Sequence, residues 1–403
     1  MTDSLFFDSM KNRDFIERFL EHRHTHPSPG MDLEAEAAYL YGTEYYADLD
    51  RLRLGDYFFD LPIKKYIPKS LSDRKRTVYC FYGRQKLLLQ AMSFALHAYD
   101  SRFSSCVYSS ILGKSFKEYV VNLKRDCSFG QMYAVKVDIS NYGASMDIDI
   151  LVEKLRTFFR EDPAVFEFFR WLLERREFLL EGEPTRGDTS GLPGIPIHSF
   201  FTNLYLMDFD KKVENICRGY CRYSDDILAF AQGPEEAQAL MELMNAETKR
   251  VRLCLNEKKT AVYEPHAKFD HMGISYEDGR IDLSDFAIYK LKRKMKIRAK
   301  RIRRQVEDGA IGGEDGAKAL IRLNWQLFYG RDNSTELCWS RWLFPMLTEH
   351  AGLHALDLYF QRCLRFILTG KWSDSAYRIK YSRLKELGYT SLVRRYYSRC
   401  TPI

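Results

Sequence analysis

The cysteines of this 403-residue chain form no recognisable framework. There are nine, at 80, 106, 127, 217, 221, 254, 338, 363 and 400, and no two make a Cys-x-x-Cys pair. An odd count argues against a disulfide scaffold, and Cys217 and Cys221 lack the second pair or flanking His that would complete a zinc site. All nine are expected as reduced cytosolic thiols. Long apolar runs are missing too. None reaches the roughly 18 residues a membrane span needs, and the first residues, MTDSLFFDSMKNRDF, meet charge too early for a secretory leader. No period of about 20 to 50 residues recurs, which excludes a repeat architecture. No His/Asp/Glu set suits a ribonuclease H or an endonuclease. The expected setting is the cytoplasm, with no membrane partner.

Aromatic residues, in contrast, are plentiful: 27 Phe and 26 Tyr predict an aromatic-rich core. A net charge of +7 is compatible with a polyanionic partner but too small to identify one. Residues 1–60 read as helical, with a break at His26-Pro27-Ser28-Pro29-Gly30, and carry no chemistry; an extension packing on the body or on a partner subunit is expected. Residues 61–130 open with Lys64, Lys65, Lys69, Arg74, Lys75 and Arg76, then a β-like run, Thr77 to Phe81, and an amphipathic helix from Lys86. Residues 131–280 alternate short strands and helices, with Met132 to Val137 as a half-buried strand and 151–180 as helix throughout. From about 281 to 403 the pattern is helical, interrupted between Gly309 and Gly316.

The most informative tetrapeptide is Tyr223-Ser224-Asp225-Asp226, set between Tyr220-Cys221-Arg222 and Ile227-Leu228-Ala229-Phe230. Apolar strands on both sides of two adjacent acids imply a tight hairpin with the acids at its tip. Adjacent carboxylates repel and resist burial, and a divalent cation offsets both penalties. Alone this signal is weak, because Asp-Asp is also a common turn sequence. Its neighbours strengthen it. Upstream, Val135-Lys136-Val137-Asp138-Ile139 ends an apolar strand on a lone acid. Between the two lies Gly191-Leu192-Pro193-Gly194-Ile195-Pro196, running into the apolar helix Phe200 to Leu206. Downstream come Leu255-Asn256-Glu257-Lys258-Lys259-Thr260 and a short strand, Phe269 to Ile274, containing Gly273.

In this order the segments resemble the palm motifs of reverse transcriptases, most closely the bacterial branch with group II intron, retron and phage-defence enzymes. The resemblance covers roughly residues 75 to 290. It implies an α+β right-hand polymerase with fingers (61–130), an antiparallel palm sheet (131–280, with finger helices at 151–180) and a helical thumb and C-terminal region (281–403). It also implies DNA synthesis from dNTPs on an RNA template. Independently, phosphoryl transfer needs charge neutralised on attacking and leaving oxygens, which two metal ions held by three carboxylates can do. The expected catalytic residues are Asp138, Asp225 and Asp226. Metal-binding positions are Asp138, Ile139, Asp225 and Asp226, for two Mg2+ ions that Mn2+ could replace. Asp147 and Asp149 read as helix-start acids, and Asp208 and Asp210 as solvated or structural.

The resemblance further places Arg76, with Lys75, on the incoming triphosphate, Lys65 being a second choice, and Lys259 near the pyrophosphate leaving group. Two departures stand out. Many reverse transcriptases carry an aromatic residue five positions after the first motif's Asp, where it excludes the ribose 2′-hydroxyl. Here that position is Gly143, and the aromatic is Tyr142; either Tyr142 takes over or discrimination against ribonucleotides is weak. In the Gly-Pro motif, aligning Asn203 puts Gly194 on the family's second Gly and Pro193 where Gln is usual, which touches template and dNTP contacts.

Charge is densest from Lys290 to Arg304, where Leu291, Met295, Ile297 and Ile302 could face a core and leave a positive face. Lys292, Arg293, Lys296, Lys300 and Arg303 are the nucleic-acid-binding candidates, since such a surface suits phosphate contacts. Farther on, Trp325, Phe328 and Tyr329 beside Arg331, and Tyr377, Arg378, Lys380, Tyr381 and Arg383, mix aromatic and basic residues; single-strand binding and helix packing both fit, with packing favoured. No maturase or nuclease extension is expected, and a compact enzyme of this kind resembles the defence-associated group. That implies a dedicated non-coding RNA, an antiviral role, a DNA product and a homo-oligomer or partner protein. An RNA polymerase or template-independent transferase on the same palm stays open, as does a non-catalytic RNA-binding scaffold.

Overall fold

A computed structural model describes residues 4–27, 30–68, 75–126, 129–329, 343–373 and 378–400. Lys69, Arg74, Cys127, Arg331, Cys338 and Tyr377 lie outside the described residues, as do the side chains of Trp325, Phe328, Tyr329 and Cys400. The chain forms two compact units, one of Met1–Tyr119 with Tyr133–Val262 and one of Val120–Met132 with Tyr263–Ile403.

The first unit begins with α1 (Leu5–Met10), α2 (Arg13–Thr25), α3 (Leu33–Tyr41) and α4 (Thr43–Leu54). These are part of the body: Phe6, Phe7, Phe15, Phe19, Tyr45 and Leu49 enter the main hydrophobic core. Next come β1 (Ile63–Pro68), β2 (Lys75–Cys80), α5 (Gly83–Ala95) and α6 (Phe116–Asp126), which begins in this unit. The strand β3 (Tyr133–Asp138), the short α7 (Tyr142–Ser145), α8 (Ile148–Phe158) and α9 (Pro163–Glu174) follow.

The expected continuous helix over 151–180 is therefore two helices and a strand. Asp162 and Pro163 break it: the Asp162 carboxylate caps α9 by accepting from the Val165 amide, and proline takes the first turn, where its missing N–H costs nothing. Asp162 also accepts from the Ser4 hydroxyl at 2.9 Å and the Phe6 amide at 3.1 Å, which ties α1 to the same cap. After α9, β4 (Glu177–Leu180) turns back into β5 (Glu183–Arg186) through Glu181 and Gly182, both at positive φ, as a two-residue hairpin requires. One four-stranded sheet has the order β2-β1-β4-β5.

The remaining elements of this unit are α10 (His198–Tyr205), α11 (Met207–Ile216), β6 (Arg218–Tyr223), β7 (Asp226–Ala231), α12 (Pro234–Arg250) and β8 (Ala261–Tyr263). The second sheet has the order β6-β7-β3-β8. Its central pair, β3 and β7, is antiparallel and buried, α12 packs on both strands, and the rings of Phe158, Phe159, Phe169, Phe200 and Phe201 from α8 to α10 join one another in the same core. The aromatic core expected from composition is there.

In the second unit, β9 (Phe269–His271), β10 (Ile274–Glu277) and β11 (Arg280–Leu283) form an antiparallel meander. The strand expected over Phe269–Ile274 is a hairpin, because Met272 and Gly273 both take positive φ and reverse the chain. The helical region starts later than 281: β11 runs to Leu283 and the Ser284 hydroxyl caps α13 (Asp285–Glu307). α14 (Gly313–Tyr329) and α15 (Ala351–Thr369) pack on α13. Gly316 is inside α14, where a Cβ would meet Ile302, Val306 and Ile367 at 3.0–3.1 Å. No helix among the described residues is long and apolar enough to cross a membrane.

Candidate active site

Ala134, Val135 and Val137 are buried on both faces of β3, an interior strand of its sheet, and the strand ends on Asp138, itself only 2% exposed. β7 runs antiparallel to it in a register that sets Asp138 opposite Asp226. Asp225 is in the turn between β6 and β7, and its carbonyl accepts from the Ile139 amide at 3.2 Å. Three acids distant in sequence thus share one end of one sheet. Ile139 places its side chain in the core.

Asp138 is held on both oxygens. Asn256 Nδ2 donates to Oδ1 at 2.8 Å, and Lys259 Nζ lies 2.6 Å from Oδ2. The Asn256 amide also donates to the Asp138 carbonyl at 2.8 Å. Burial raises the carboxyl of Asp226 to about 6, with added repulsion from Asp225 and Asp138. Burial also raises Asp225, and the charge of Asp138 adds to the shift. Burial opposes the charge of Lys259, but its bond to Asp138 and the nearby acids hold its pKa above the usual lysine value. Asp138, Asp225 and Asp226 supply hard oxygen donors under mutual repulsion, the chemistry a hard divalent cation relieves. Among the described residues, no three His, Cys, Asp or Glu side chains already stand together as a metal-binding group.

Beneath the acids is a buried network the sequence reading missed. Arg222 and Asp210, both 0% exposed, form a two-pronged ion pair with both contacts at 2.6 Å. Tyr220 donates to the same carboxylate at 2.6 Å. Arg222 also reaches Asn203 Oδ1 at 3.3 Å and the Ser224 carbonyl at 3.2 Å. Ser224, at φ 60°, donates its amide to Ser109 Oγ at 2.9 Å. A non-glycine residue held left-handed needs such support, and here the support fixes the residue just before Asp225. Asp210 is structural, and Asp208 pairs with Lys154. The signal for Arg222 was present: Tyr220 and Arg222 are two apart on one strand, so they share its inner face, and a buried arginine requires an acid.

The other candidates separate. Lys75 and Arg76 are exposed at the start of β2 and have no charged partner among the described residues; Lys65 lies 5.1 Å from the ring centre of Tyr82. Gly194 is glycine for a backbone reason. Its φ is +104°, and a Cβ would come within 2.8 Å of Val78 Cβ and 3.1 Å of the Tyr79 carbonyl. The adjacent Pro193 carbonyl accepts from the Tyr79 amide at 2.7 Å, docking this loop on β2. Tyr142 is not a gate. Its ring is buried and its hydroxyl donates to the Thr202 carbonyl, so it points into the core, away from any open surface. Asp147 caps α8 as expected, accepting from the Asp149 and Ile150 amides.

On α13 the core positions are Leu291, Met295, Ala299 and Ile302, whereas Ile297 is 58% exposed. At about 100° per residue, position 297 is some 200° from 295 and must face away. The basic candidates divide. Lys292 and Lys296 lie over the rings of Tyr359 and Trp372, and Arg303 binds Glu307 and the Ile367 carbonyl. Arg293 and Lys300 are exposed without a charged partner among the described residues. Of the aromatic and basic mixture farther on, Arg383 pairs with Glu314 and Glu386, and Tyr381 packs on Tyr389. The six cysteines at 80, 106, 217, 221, 254 and 363 are free thiols.

Comparison with known proteins adds one family. The model of the family described as reverse transcriptase (RNA-dependent DNA polymerase) matches residues 67–276. No curated protein matches. Solved structures with similarity include apo telomerase from Candida tropicalis truncated from the C-terminal domain, at 14% identity and a TM-score of 0.43 over 55% of each chain. The apo telomerase of Candida tropicalis gives 13% and 0.44, over 84% of this chain and 68% of that one. Telomerase from Candida albicans in complex with a TWJ fragment of telomeric RNA gives 11% and 0.42, over 88% and 71%. The chain spans about half the length of the first of these, and likeness at this level supports no functional argument. The family match needs no such help: it spans more than half of the 403 residues and contains the three acids, the Gly-Pro loop and Lys259. The chain belongs to the reverse transcriptase family, and its α+β architecture is that family's right-hand polymerase fold.

Proposed function

We propose that the chain is an RNA-directed DNA polymerase that joins dNTPs by phosphoryl transfer at Asp138, Asp225 and Asp226. The observation that carries this reading is the register that sets Asp138 opposite Asp226, beside Asp225 and Lys259. Asp138, Asp225 and Asp226, with Ile139 adjacent, would hold two Mg2+ ions, for which Mn2+ could substitute. Bound there, the ions supply charge neutralisation on the attacking and leaving oxygens. The chain's own residues do the positioning. Asn256 orients the Asp138 carboxylate, and Lys259 keeps a mobile positive charge beside it. The Arg222 network holds the turn that presents Asp225. Lys75 and Arg76 would meet the triphosphate, and α13 the template–product duplex.

The sequence likeness to compact defence-associated enzymes supports a dedicated non-coding RNA as template, an antiviral (phage) role, and action as a homo-oligomer or with a partner protein. The fingers, palm and thumb boundaries at 61, 131 and 281 belong to this proposal. A second reading, an RNA polymerase or template-independent transferase on the same palm, is favoured by one observation: no aromatic side chain projects from position 143. The deciding experiment feeds purified protein each dNTP and rNTP separately, with and without copurified RNA, alongside Asp225→Ala/Asp226→Ala. RNA-dependent dNTP incorporation lost in the variant is expected. Incorporation of rNTPs alone would remove the DNA-polymerase assignment, and a double variant that left every activity and phenotype unchanged would leave a non-catalytic RNA-binding scaffold.

A further inference from the structure

The meander of β9, β10 and β11 in the second unit has two unlike faces. Strand alternation sends Ile274, Tyr276 and Ile281 to one side, where all three are buried. The other side is polar. There Ser275 pairs with Asp270 on β9 and with Asp282 on β11, and Glu277 pairs with Arg280. Such a face normally meets water, yet Ser275 is only 6% exposed. The starts of α13 and α15 stand over it, and between them and the sheet is a cavity of about 420 Å3.

The polar groups of its wall are unevenly satisfied. Asp282 accepts from the Leu283 amide at 2.7 Å and from the Gly352 amide at 2.9 Å, which brings the first turn of α15 down onto the sheet. Gly352 permits this approach: a Cβ there would lie 2.7 Å from Leu283 Cβ and 2.9 Å from Asp282 Oδ1. Lys268 pairs with Asp285 at 3.3 Å. Glu277, Glu349 and Arg280 form no ion pair among the described residues. Four carboxylates therefore face two cations, one of them already engaged. Ser275 Oγ, buried in the same wall, bonds to no protein group among the described residues. Buried hydroxyls are as a rule hydrogen-bonded, and one set among carboxylates has lone pairs to offer an incoming donor.

These features define the chemistry of an occupant. Excess negative charge requires a cation, and hydroxyl and carboxylate oxygens require N–H donors. A primary ammonium brings three, and Ser275, Asp282 and Glu349 supply three acceptors. Leu283, Ile288 and Ala355 add an apolar stretch of wall that suits a methylene chain. Glu277, nearer solvent, is left for a second ammonium.

We propose that this cavity binds a linear aliphatic polyamine, with one ammonium on Ser275, Asp282 and Glu349 and another on Glu277. The site is wholly within the second unit and shares no residue with Asp138, Asp225 and Asp226. It stands whether or not the chain is a polymerase. Occupancy would join the meander to α15 through the ligand, so binding should also stabilise the fold.

The test is calorimetric titration of the whole chain, stripped of nucleic acid, with spermidine, 1,4-diaminobutane and butylamine at fixed ionic strength. Spermidine should bind with a saturable heat, and 1,4-diaminobutane should bind about tenfold more tightly than butylamine, the worth of one further charged contact. Ser275→Ala and Glu349→Gln should each weaken spermidine about tenfold, whereas Asp225→Ala/Asp226→Ala should leave it unchanged. Without ligand, Ser275→Ala should unfold at the wild-type temperature or higher, because it removes a buried hydroxyl that has no partner. A lower unfolding temperature would mean that the hydroxyl is bonded within the fold, and would overturn the proposal. Unchanged affinity in Ser275→Ala and Glu349→Gln would overturn it too, as would no saturable heat in the wild type. Loss of binding in Asp225→Ala/Asp226→Ala would move the amine to the candidate active site, and butylamine matching spermidine would leave only a general attraction for cations; either result ends the assignment.

Discussion

Two ion pairs of equal length, 2.6 Å, lie in the same unit and have opposite characters. Arg222 and Asp210 are both fully buried; the Lys259 side chain is 59% exposed while that of its partner Asp138 is buried. In the first, the guanidinium is divided among Asp210, Asn203 and the Ser224 carbonyl, and Tyr220 takes up further capacity on the carboxylate. Nothing there can move without stranding a buried charge. In the second, a flexible lysine reaches in from solvent and can leave again. The contrast separates scaffold from chemistry: the turn is held by the pair that cannot open, and the acid that would meet substrate is held by the pair that can.

Breaking the buried pair should have the largest effect. Arg222→Leu alone leaves Asp210 charged and unpaired in the core and should cost about 3–5 kcal/mol, measured by denaturant unfolding. Replacing both partners, Asp210→Leu with Arg222→Leu, should recover much of that loss. Recovered stability without recovered synthesis would show that the pair's further task is to hold Ser224 and Asp225 in place. Equal destabilisation by the single and double variants would contradict the role assigned to the pair.

Removing the exposed pair should do the reverse. Lys259→Ala is expected to change stability by less than about 1 kcal/mol, because solvent screens an exposed lysine. Nucleotide incorporation should nevertheless fall about a hundredfold, as expected when a charge near the reacting groups is lost. A stability loss as large as that of Arg222→Leu would erase the distinction between the pairs.

The acids themselves sharpen it through pH. The carboxyl of Asp226 is raised to about 6, chiefly by burial and then by Asp225 and Asp138. A carboxyl raised in the folded state stabilises that state below its unfolded value, near 4, and the contribution is lost as pH rises through about 6. In chelator, stability should therefore fall between pH 4 and 6, by at most about 3 kcal/mol, relative to Asp226→Asn. Added Mg2+ should flatten the difference. Parallel curves for wild type and variant in chelator would show that the acids do not strain the fold.

The same division explains what could be read from the chain. Asp138, Asp225 and Asp226 were legible because strand alternation and turn chemistry are local, and their order along the sequence restricted the fold. Asp162 and Pro163 carry an equally local helix-start signal within 151–180, with apolar residues on both sides of it. Arg222 with Asp210 was legible only in part: the Tyr220 and Arg222 spacing marks a shared strand face, but the acid comes from a separate element, and that depends on tertiary packing. Ile297 departs from the expectation for a simpler reason: its angle on the helix carries it away from the face of Leu291, Met295 and Ile302, although it is apolar.

α13 provides the smallest test of held against free charge. Arg303 is tied to Glu307 and to the Ile367 carbonyl, and Arg293 is exposed without a charged partner among the described residues. If the helix contacts nucleic acid, Arg293→Ala should weaken RNA binding similarly across sequences and reduce the slope of log affinity against log salt by about 1. Its unfolding midpoint should not move, because no packed contact is lost. Arg303→Ala should instead cost about 1 kcal/mol of stability, the worth of a hydrogen bond to a carbonyl, and alter the salt slope less. Binding titrations from low to moderate salt, run beside denaturant unfolding of the same two variants, separate these outcomes. Identical slopes for wild type and Arg293→Ala would remove the exposed side of α13 from the nucleic-acid surface, and the phosphate contacts would then have to be sought on β1 and β2, where Lys65, Lys75 and Arg76 are exposed.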